Sequence, residues 1–368
     1  MVVKDDTTSL VIENPAGQEN EFPRTCDIER ERKQTSFDCS LEELPRKPQE
    51  RYQLIRSIGF GGMKCVLLVH DRDTNREIAM ALMPDFKERP QQDTEQFIRE
   101  ARITAYLNHP NIVAVHDIGM DDNGAPYYTM SYLRGLPLTT VLKRIRENRP
   151  FETGYYTIDR RLRIFQRVCN AVNYAHSLNI CHLDIKPDNV NVGEFGEIRL
   201  FDWGLACETD EKGNARLKGS ALKGSPGYMS PEQISTNPEA PAVGKSSDIF
   251  SLGALLYTLL SFTPPFSGKN NEEVLFNTMT RDPLPFSKSA PKGTYIPREL
   301  ELICRKALAK DPAERFASVS EMRQAVMSFQ SKSFQKSFNR RRSKYFWSVL
   351  ILLGFILCAL AIFFVQNF

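Results

Sequence analysis

Three short segments carry residues whose types and spacing suit phosphate chemistry. Residues 181–190 read CHLDIKPDNV and place Asp184, Lys186 and Asn189 close together. Residues 199–206 read RLFDWGLA and add Asp202, 18 positions after Asp184. Residues 58–66 read IGFGGMKCV, with Gly59, Gly61 and Gly62 followed by Lys64. A phosphoryl group in transit needs positioning and neutralisation more than covalent help, and carboxylates, an amide and lysines supply both. Glycines between two strands let backbone N–H groups approach phosphates closely. The glycine pattern alone is weak. Its place between two strand-like runs, rather than ahead of a helix, argues against a dinucleotide-binding fold.

The elements that must position these residues change character along the chain. Residues 1–51 are polar, interrupted by Pro15, Pro23, Pro45 and Pro48, and read as a disordered or loosely packed tail. From Tyr52 the segments 52–58, 66–70 and 78–83 alternate or run apolar like short strands, with a turn at 71–75. Residues 94–107 have helical spacing at Phe97, Ala101, Ile103 and Leu107, and 112–118 and 127–132 resemble further strands. Beyond Leu138, helical patterns dominate at 156–178, 247–262, 300–309 and 318–329. A sheet-rich part followed by a larger helix-rich part predicts an α+β fold in two lobes. No internal repeat is present.

With 368 residues, 41% hydrophobic and 25% charged, the composition is that of a globular protein. A net charge of +3 is too small to argue for nucleic acid, and none is expected as a partner. The eight cysteines, Cys26, Cys39, Cys65, Cys169, Cys181, Cys207, Cys304 and Cys358, form no C-x-x-C pair and no zinc-spaced cluster, which suggests reduced thiols. Residues 345–365 read YFWSVLILLGFILCALAIFFV, 21 positions without a charge. As a helix they span about 31 Å, the thickness of a bilayer core. The preceding residues 331–344 hold Lys332, Lys336, Arg340, Arg341, Arg342 and Lys344 and no acid. The positive-inside rule then keeps everything upstream in the cytoplasm. The expectation is a transmembrane helix at 345–365 in the lipid bilayer of the cytoplasmic (inner) membrane, a basic juxtamembrane linker at 331–344, and no external sensor domain.

The ordered set of CHLDIKPDNV, RLFDWGLA and GSPGYMSPE (224–232) resembles the protein-kinase motifs H-R-D-x-x-x-x-N, D-F-G and A-P-E in order and spacing. Glu100, in REARITAYL, falls where that family has its helix glutamate. The likeness covers residues 52–330, and HPNIV (109–113), KPDNV and GYMSPEQ look most like bacterial Hanks-type serine/threonine kinases. The resemblance implies a bilobal kinase-like fold, with a small lobe at 52–133 and a large lobe at 134–330. It implies ATP and Mg2+, with Mn2+ an alternative, and protein Ser/Thr hydroxyls as substrates; a homodimer is left open. By residue, it implies Asp184 at the substrate hydroxyl, Lys186 at the γ-phosphate, and Asn189 and Asp202 as metal ligands. It implies a nucleotide pocket of Ile58, Gly59, Gly61, Gly62, Lys64, Val66, Ala79, Met130, Tyr132, Leu133 and Val192, with Met130 as gatekeeper and Ser131–Leu133 as the adenine hinge. Ser225 resembles the hydroxyl that tethers the catalytic loop. Glu232 is expected to pair with Arg315, Asp248 to brace the catalytic loop, and His182 to pack in the core. Thr209, Ser220 and Ser225 are candidate autophosphorylation positions.

Three residues depart from the family pattern. Residues 76–83 read REIAMALM, with Ala81 where the third strand usually carries the phosphate lysine. Leu183 replaces the arginine that grips a phosphorylated activation loop, which predicts activation without such a phosphate. Trp203 replaces the phenylalanine of D-F-G and needs a partner for its indole N–H if buried. Two readings of Ala81 stay open here. In one, the site is degraded and the domain is a membrane-tethered pseudokinase scaffold. In the other, Lys64 has taken over, in a placement similar to the with-no-lysine (WNK) kinases. A lysine stem reaches ~6 Å and neighbouring strands lie ~4.8 Å apart, so Lys64 can serve the same phosphates alongside Glu100. A third class, a membrane-bound adaptor working through 1–50 and the C-terminal tail, is also compatible with the sequence.

Overall fold

The computed structural model describes residues 10–13, 19–22, 48–60, 64–147, 150–215, 224–291, 294–333 and 335. The expected transmembrane helix at 345–365, most of the basic linker, Gly61, Gly62 and Ser220 lie outside the described residues. Among the described residues no helix is long and apolar enough to cross a membrane.

The chain divides into two compact units. The first comprises the described residues up to Leu138 together with Asp188–Ala206. Its centre is a five-stranded antiparallel sheet of β1 (Tyr52–Phe60), β2 (Cys65–Asp71), β3 (Arg76–Leu82), β4 (Val115–Met120) and β5 (Pro126–Ser131), in the order β1-β2-β3-β5-β4. Alternation along the strands sorts side chains onto two faces. Cys65, Leu67, Val69, Ile78, Met80 and Tyr127 form the core on one face with Tyr52. The other face carries Val66, Ala81, Tyr128 and Met130, aligned by the pairs Val66↔Ala81, Ala81↔Tyr128 and Ala79↔Met130. Helix α1 (Gln91–Tyr106) covers this second face with Phe97, Glu100, Ala101 and Thr104, which share one helix side by their 3/4 spacing. The Phe97 and Tyr128 rings meet at 5.1 Å between centroids.

The sequence suggests a single division between 133 and 134, yet residues 188–206 join the first unit. The reason is backbone pairing. β6 (Leu136–Pro137) pairs with β8 (Val190–Val192), β8 with β9 (Ile198–Leu200), and Leu200 donates to Asn111 O at 2.8 Å. Before Tyr52, in the stretch read as disordered, residues Leu10–Glu13 and Glu19–Phe22 pair as an antiparallel hairpin. Arg51 is also tied in, its Nε donating to Asp71 Oδ1 at 2.9 Å.

The second unit is mainly helical. α2 (Ile158–Ser177) buries Leu162, Phe165, Val168, Val172 and Ala175 along one side. α3 (Lys245–Ser261) is buried on every side from Ser247 to Ser261, as its apolar circumference requires. Its hydroxyls bond within the helix or nearby, Thr258 Oγ1 to Ala254 O at 2.8 Å and Ser251 Oγ to Tyr228 O at 2.8 Å. α4 (Arg298–Ala307) crosses α3 so closely that a Cβ on Gly253 would stand 2.7 Å from the Ala307 Cβ. β7 (Ile180–Cys181) pairs with β10 (Cys207–Glu208).

Candidate active site

In the first unit Lys64 stands directly before β2, two positions before Val66, which lies on the face that α1 covers. The Lys64 ammonium donates to Glu100 Oε1 and to Asp202 Oδ1, the latter at 3.0 Å. Tyr128 donates its phenol to the same Glu100 oxygen at 3.0 Å. Burial disfavours the charge on Lys64, but the Tyr128 oxygen, Glu100 and Asp202 outweigh it and hold its pKa above the ordinary lysine value. Burial, then Glu100, pushes the Tyr128 phenol well above its usual range, so it stays a donor at neutral pH. Ala81 is fully buried beside Met83, Phe97, Ala101 and Tyr128. Asp202 has φ +65°, a left-handed conformation that is uncommon without glycine.

A cavity of about 400 Å³ opens in the same unit. Ile58, Gly59, Lys64, Val66, Ala79, Met130, Ser131, Tyr132 and Leu133 line it, together with Glu100 and Asp202. Val192, expected in this wall, does not line it; Asn191 does. Strand alternation along β8 sends residues 190 and 192 to one side and 191 to the other, and the sequence pattern VNV does not say which side is the cavity. Arg56, Thr104, Val113, Tyr128, Gly135, Pro137 and Phe201 also line it without having been expected. Arg56 Nη2 donates to the Tyr132 phenol at 3.1 Å at the exposed lip. Gly135 has φ +115°, and a Cβ there would fall 2.2 Å from Val192 O. Only glycine lets the chain pass β8 at that point.

Asn189 is buried in a short 3₁₀ turn, and its carbonyl accepts from Phe201 N at 3.0 Å. Asn189 and Asp202 offer a hard oxygen set suited to Mg2+. Among the described residues no group of three or more His, Cys, Asp or Glu could cage an ion by itself.

The second unit holds the remaining residues. Asp184 Oδ2 accepts from Lys186 Nζ at 2.7 Å, and Lys186 also donates to Ser225 Oγ at 2.6 Å. The loop hangs on Asp248, which is fully buried in α3 and accepts from His182 N and Leu183 N, each at 2.8 Å. His176 Nε2 meets the same carboxylate at 2.8 Å. Leu183 sits at φ +63° with its side chain buried, so the position where the family has a phosphate-gripping arginine is part of the core. His182 is fully buried in this unit, in line with the core packing expected of it, and Trp203 is fully buried in the first unit. Glu232 and Arg315 form a two-point pair at 2.7 and 2.8 Å. Thr209 is buried and donates to Asn179 O at 3.3 Å, which hides this candidate phosphorylation position.

Among the lining residues that the motifs did not indicate, Tyr128 bears directly on the Lys64–Glu100 pair. A faint signal existed for Tyr128: counting by two back from Met130 places it on the cavity face.

The chain is similar to known kinases over most of its length. The protein kinase domain family matches residues 52–327. The serine/threonine-protein kinase PknD of Chlamydia muridarum is 32% identical over 333 residues, covering 82% of this chain and 35% of that protein. PknD of Chlamydia trachomatis serovar D is 33% identical over 303 residues, covering 76% of this chain and 32% of the relative. PknB of Mycobacterium tuberculosis is 32% identical over 282 residues, covering 76% of this chain and 43% of the relative. The chain thus spans less than half the length of these relatives. With the motifs carried in order on a small sheet and a helical unit, and the family matched across 52–327, the chain belongs to the protein kinase family, alongside bacterial Hanks-type serine/threonine kinases.

Proposed function

We propose that this protein is a membrane-anchored serine/threonine kinase that moves the γ-phosphate of Mg-ATP to protein hydroxyls, with Lys64 in the role that Ala81 cannot fill. The observation that carries the reading is the Lys64 ammonium, joined to Glu100 and to Asp202 Oδ1 at the wall of the cavity. A cation there neutralises phosphate oxygens, and Glu100 orients it. The adenine is held between Ile58, Val66 and Ala79, with the backbone of 131–133 as its hydrogen-bonding edge. Asn189 and Asp202 would hold the divalent metal, which when bound would supply charge to shield the phosphates. Asp184 orients the substrate hydroxyl and takes its proton, while Lys186 steadies the transferring group. Retention of Asp184, Lys186, Asn189 and Asp202 supports catalysis over scaffolding, because a scaffold has no chemical need for all four. Residues 345–365 provide the bilayer anchor, with the basic run at 331–344 on the cytoplasmic side.

The test is phosphoryl transfer from Mg-ATP by the full chain in detergent, to itself and to a generic basic protein. Wild type is expected to transfer, and Lys64→Ala to lose about 100- to 1,000-fold in kcat, the usual cost of removing one charge-stabilising donor. Full activity in Lys64→Ala would refute the relocated lysine. Nucleotide binding without any transfer by wild type would establish the pseudokinase reading instead.

A further inference from the structure

We propose that Tyr128 is a positioning residue for Lys64: its phenol fixes Glu100, and through Glu100 the ammonium. The inference rests on the proposed role of Lys64 and adds a residue that no family motif contains. The strand register brings it about. Tyr128 is the β5 partner of Ala81 and points to the face that α1 covers. With only a methyl at 81, the Tyr128 ring packs with Ala81, Met83, Phe97 and Ala101 and carries its hydroxyl to Glu100 Oε1 at 3.0 Å. That oxygen is the one the Lys64 ammonium meets.

The arrangement answers a physical problem. A third-strand lysine would hold Glu100 from the neighbouring strand of the same face. Lys64 instead stands one residue before β2, outside the strand, so no ladder bond of the sheet fixes its backbone. A buried neutral donor on rigid β5 supplies a second, fixed hydrogen bond to the carboxylate. Glu100 then keeps one place whether or not Lys64 swings towards phosphate. Because Tyr128 is buried and its phenol remains protonated, the bond persists across the physiological pH range.

A double-mutant cycle in the full chain tests this. Tyr128→Phe keeps the ring and deletes the donor; Glu100→Ala deletes the acceptor. Tyr128→Phe is expected to lower kcat/KM for Mg-ATP about tenfold, the lower range for a hydrogen bond to a charged group, with a melting temperature within about 4 °C of wild type. In the Glu100→Ala background the same change is expected to cost less than about twofold, since the two residues act as one unit. A tyrosine acting only by packing would cost the same in both backgrounds, and that result overturns the proposal, as does wild-type activity in Tyr128→Phe. The reading on which it rests fails differently, by full activity of Lys64→Ala while the Tyr128–Glu100 coupling persists. If wild type transfers no phosphate, the cycle is read on Mg-ATP affinity by equilibrium titration, and absence of coupling or of binding again overturns it.

Discussion

Arg315→Met should unfold the helical unit early and slow catalysis without touching any catalytic residue. Arg315 and Glu232 have side chains 0% and 1% exposed, joined at 2.7 and 2.8 Å, with Ser247 Oγ donating to Glu232 Oε1 at 2.7 Å. Arg315 also donates to the carbonyls of Ala309, Ser246 and Lys310 at 2.9, 2.9 and 3.1 Å. Methionine fills much of the volume but leaves a buried carboxylate without its cation. Breaking such a pair from one side costs about 3–5 kcal/mol. At about 2–4 °C per kcal/mol for a domain of this size, the melting temperature should fall by about 6–20 °C. The pH dependence carries the sign. Burial alone would raise the Glu232 pKa, and Arg315 with Ser247 reverses this and holds it below the ordinary carboxylate value. In wild type the stabilisation is therefore present above the ordinary glutamate pKa and lost as pH falls through the lowered one. In the variant only Ser247 and the backbone oppose burial, the pKa rises, and the penalty is largest at neutral pH and shrinks on acidification. Ser247 is followed by Asp248, whose carboxylate holds the backbone of His182 and Leu183, so phosphoryl transfer should weaken as well. Thermal unfolding by circular dichroism between pH 8 and pH 5, with Glu232→Met/Arg315→Met as control, reads all of this. The double variant should regain the part of the loss that comes from the stranded carboxylate, while the lost Arg315 bonds to the three carbonyls remain. A fall below about 2 °C, or a gap between wild type and variant that stays constant with pH, would refute the argument.

Two further outcomes follow from the site. Lys186→Ala removes the donor shared by Asp184 Oδ2 and Ser225 Oγ, and steady-state kinetics should show kcat down about 100- to 1,000-fold with KM for ATP little changed. Gly135→Ala sets a methyl against Val192 O at a left-handed backbone position, so it should destabilise the first unit by about 2–4 kcal/mol in urea unfolding and weaken Mg-ATP binding through the displaced cavity wall. A Gly135→Ala protein as stable as wild type would mean that β6 does not pass β8 as closely as the structure has it.

Much of the fold was legible because its signals are local. The 3/4 spacing of Phe97, Ala101 and their neighbours marks α1, and alternation marks β2, β3 and β5. The helix expected at 247–262 is α3, Lys245–Ser261, shifted by a residue or two, because ends depend on caps and pattern only on period. What failed were features that need a partner strand. Val192 and Asn191 read equally well as a cavity wall until pairing with β6 and β9 fixes which side faces inward. The return of residues 188–206 to the first unit depends on bonds such as Leu200 N to Asn111 O, between positions 89 apart in sequence. The hairpin of Leu10–Glu13 with Glu19–Phe22 was missed for the same reason: LVIE is a short apolar run, but its partner ENEF has one apolar residue and shows no strand pattern of its own.

For this protein the sequence by itself determined the family and the chemical inventory. The order of Asp184, Lys186, Asn189 and Asp202 is a one-dimensional fact, and so are the loss of a lysine at 81 and the presence of one at 64. Only the tertiary structure decided what Lys64 meets. Its ammonium lies with Glu100 and Asp202 because strand register puts positions 66, 81 and 128 on one face, Lys64 reaches that face from just before β2, and α1 turns Glu100 towards it. Such contacts arise from the sheet pairing and helix packing of residues distant in sequence, which no local pattern encodes.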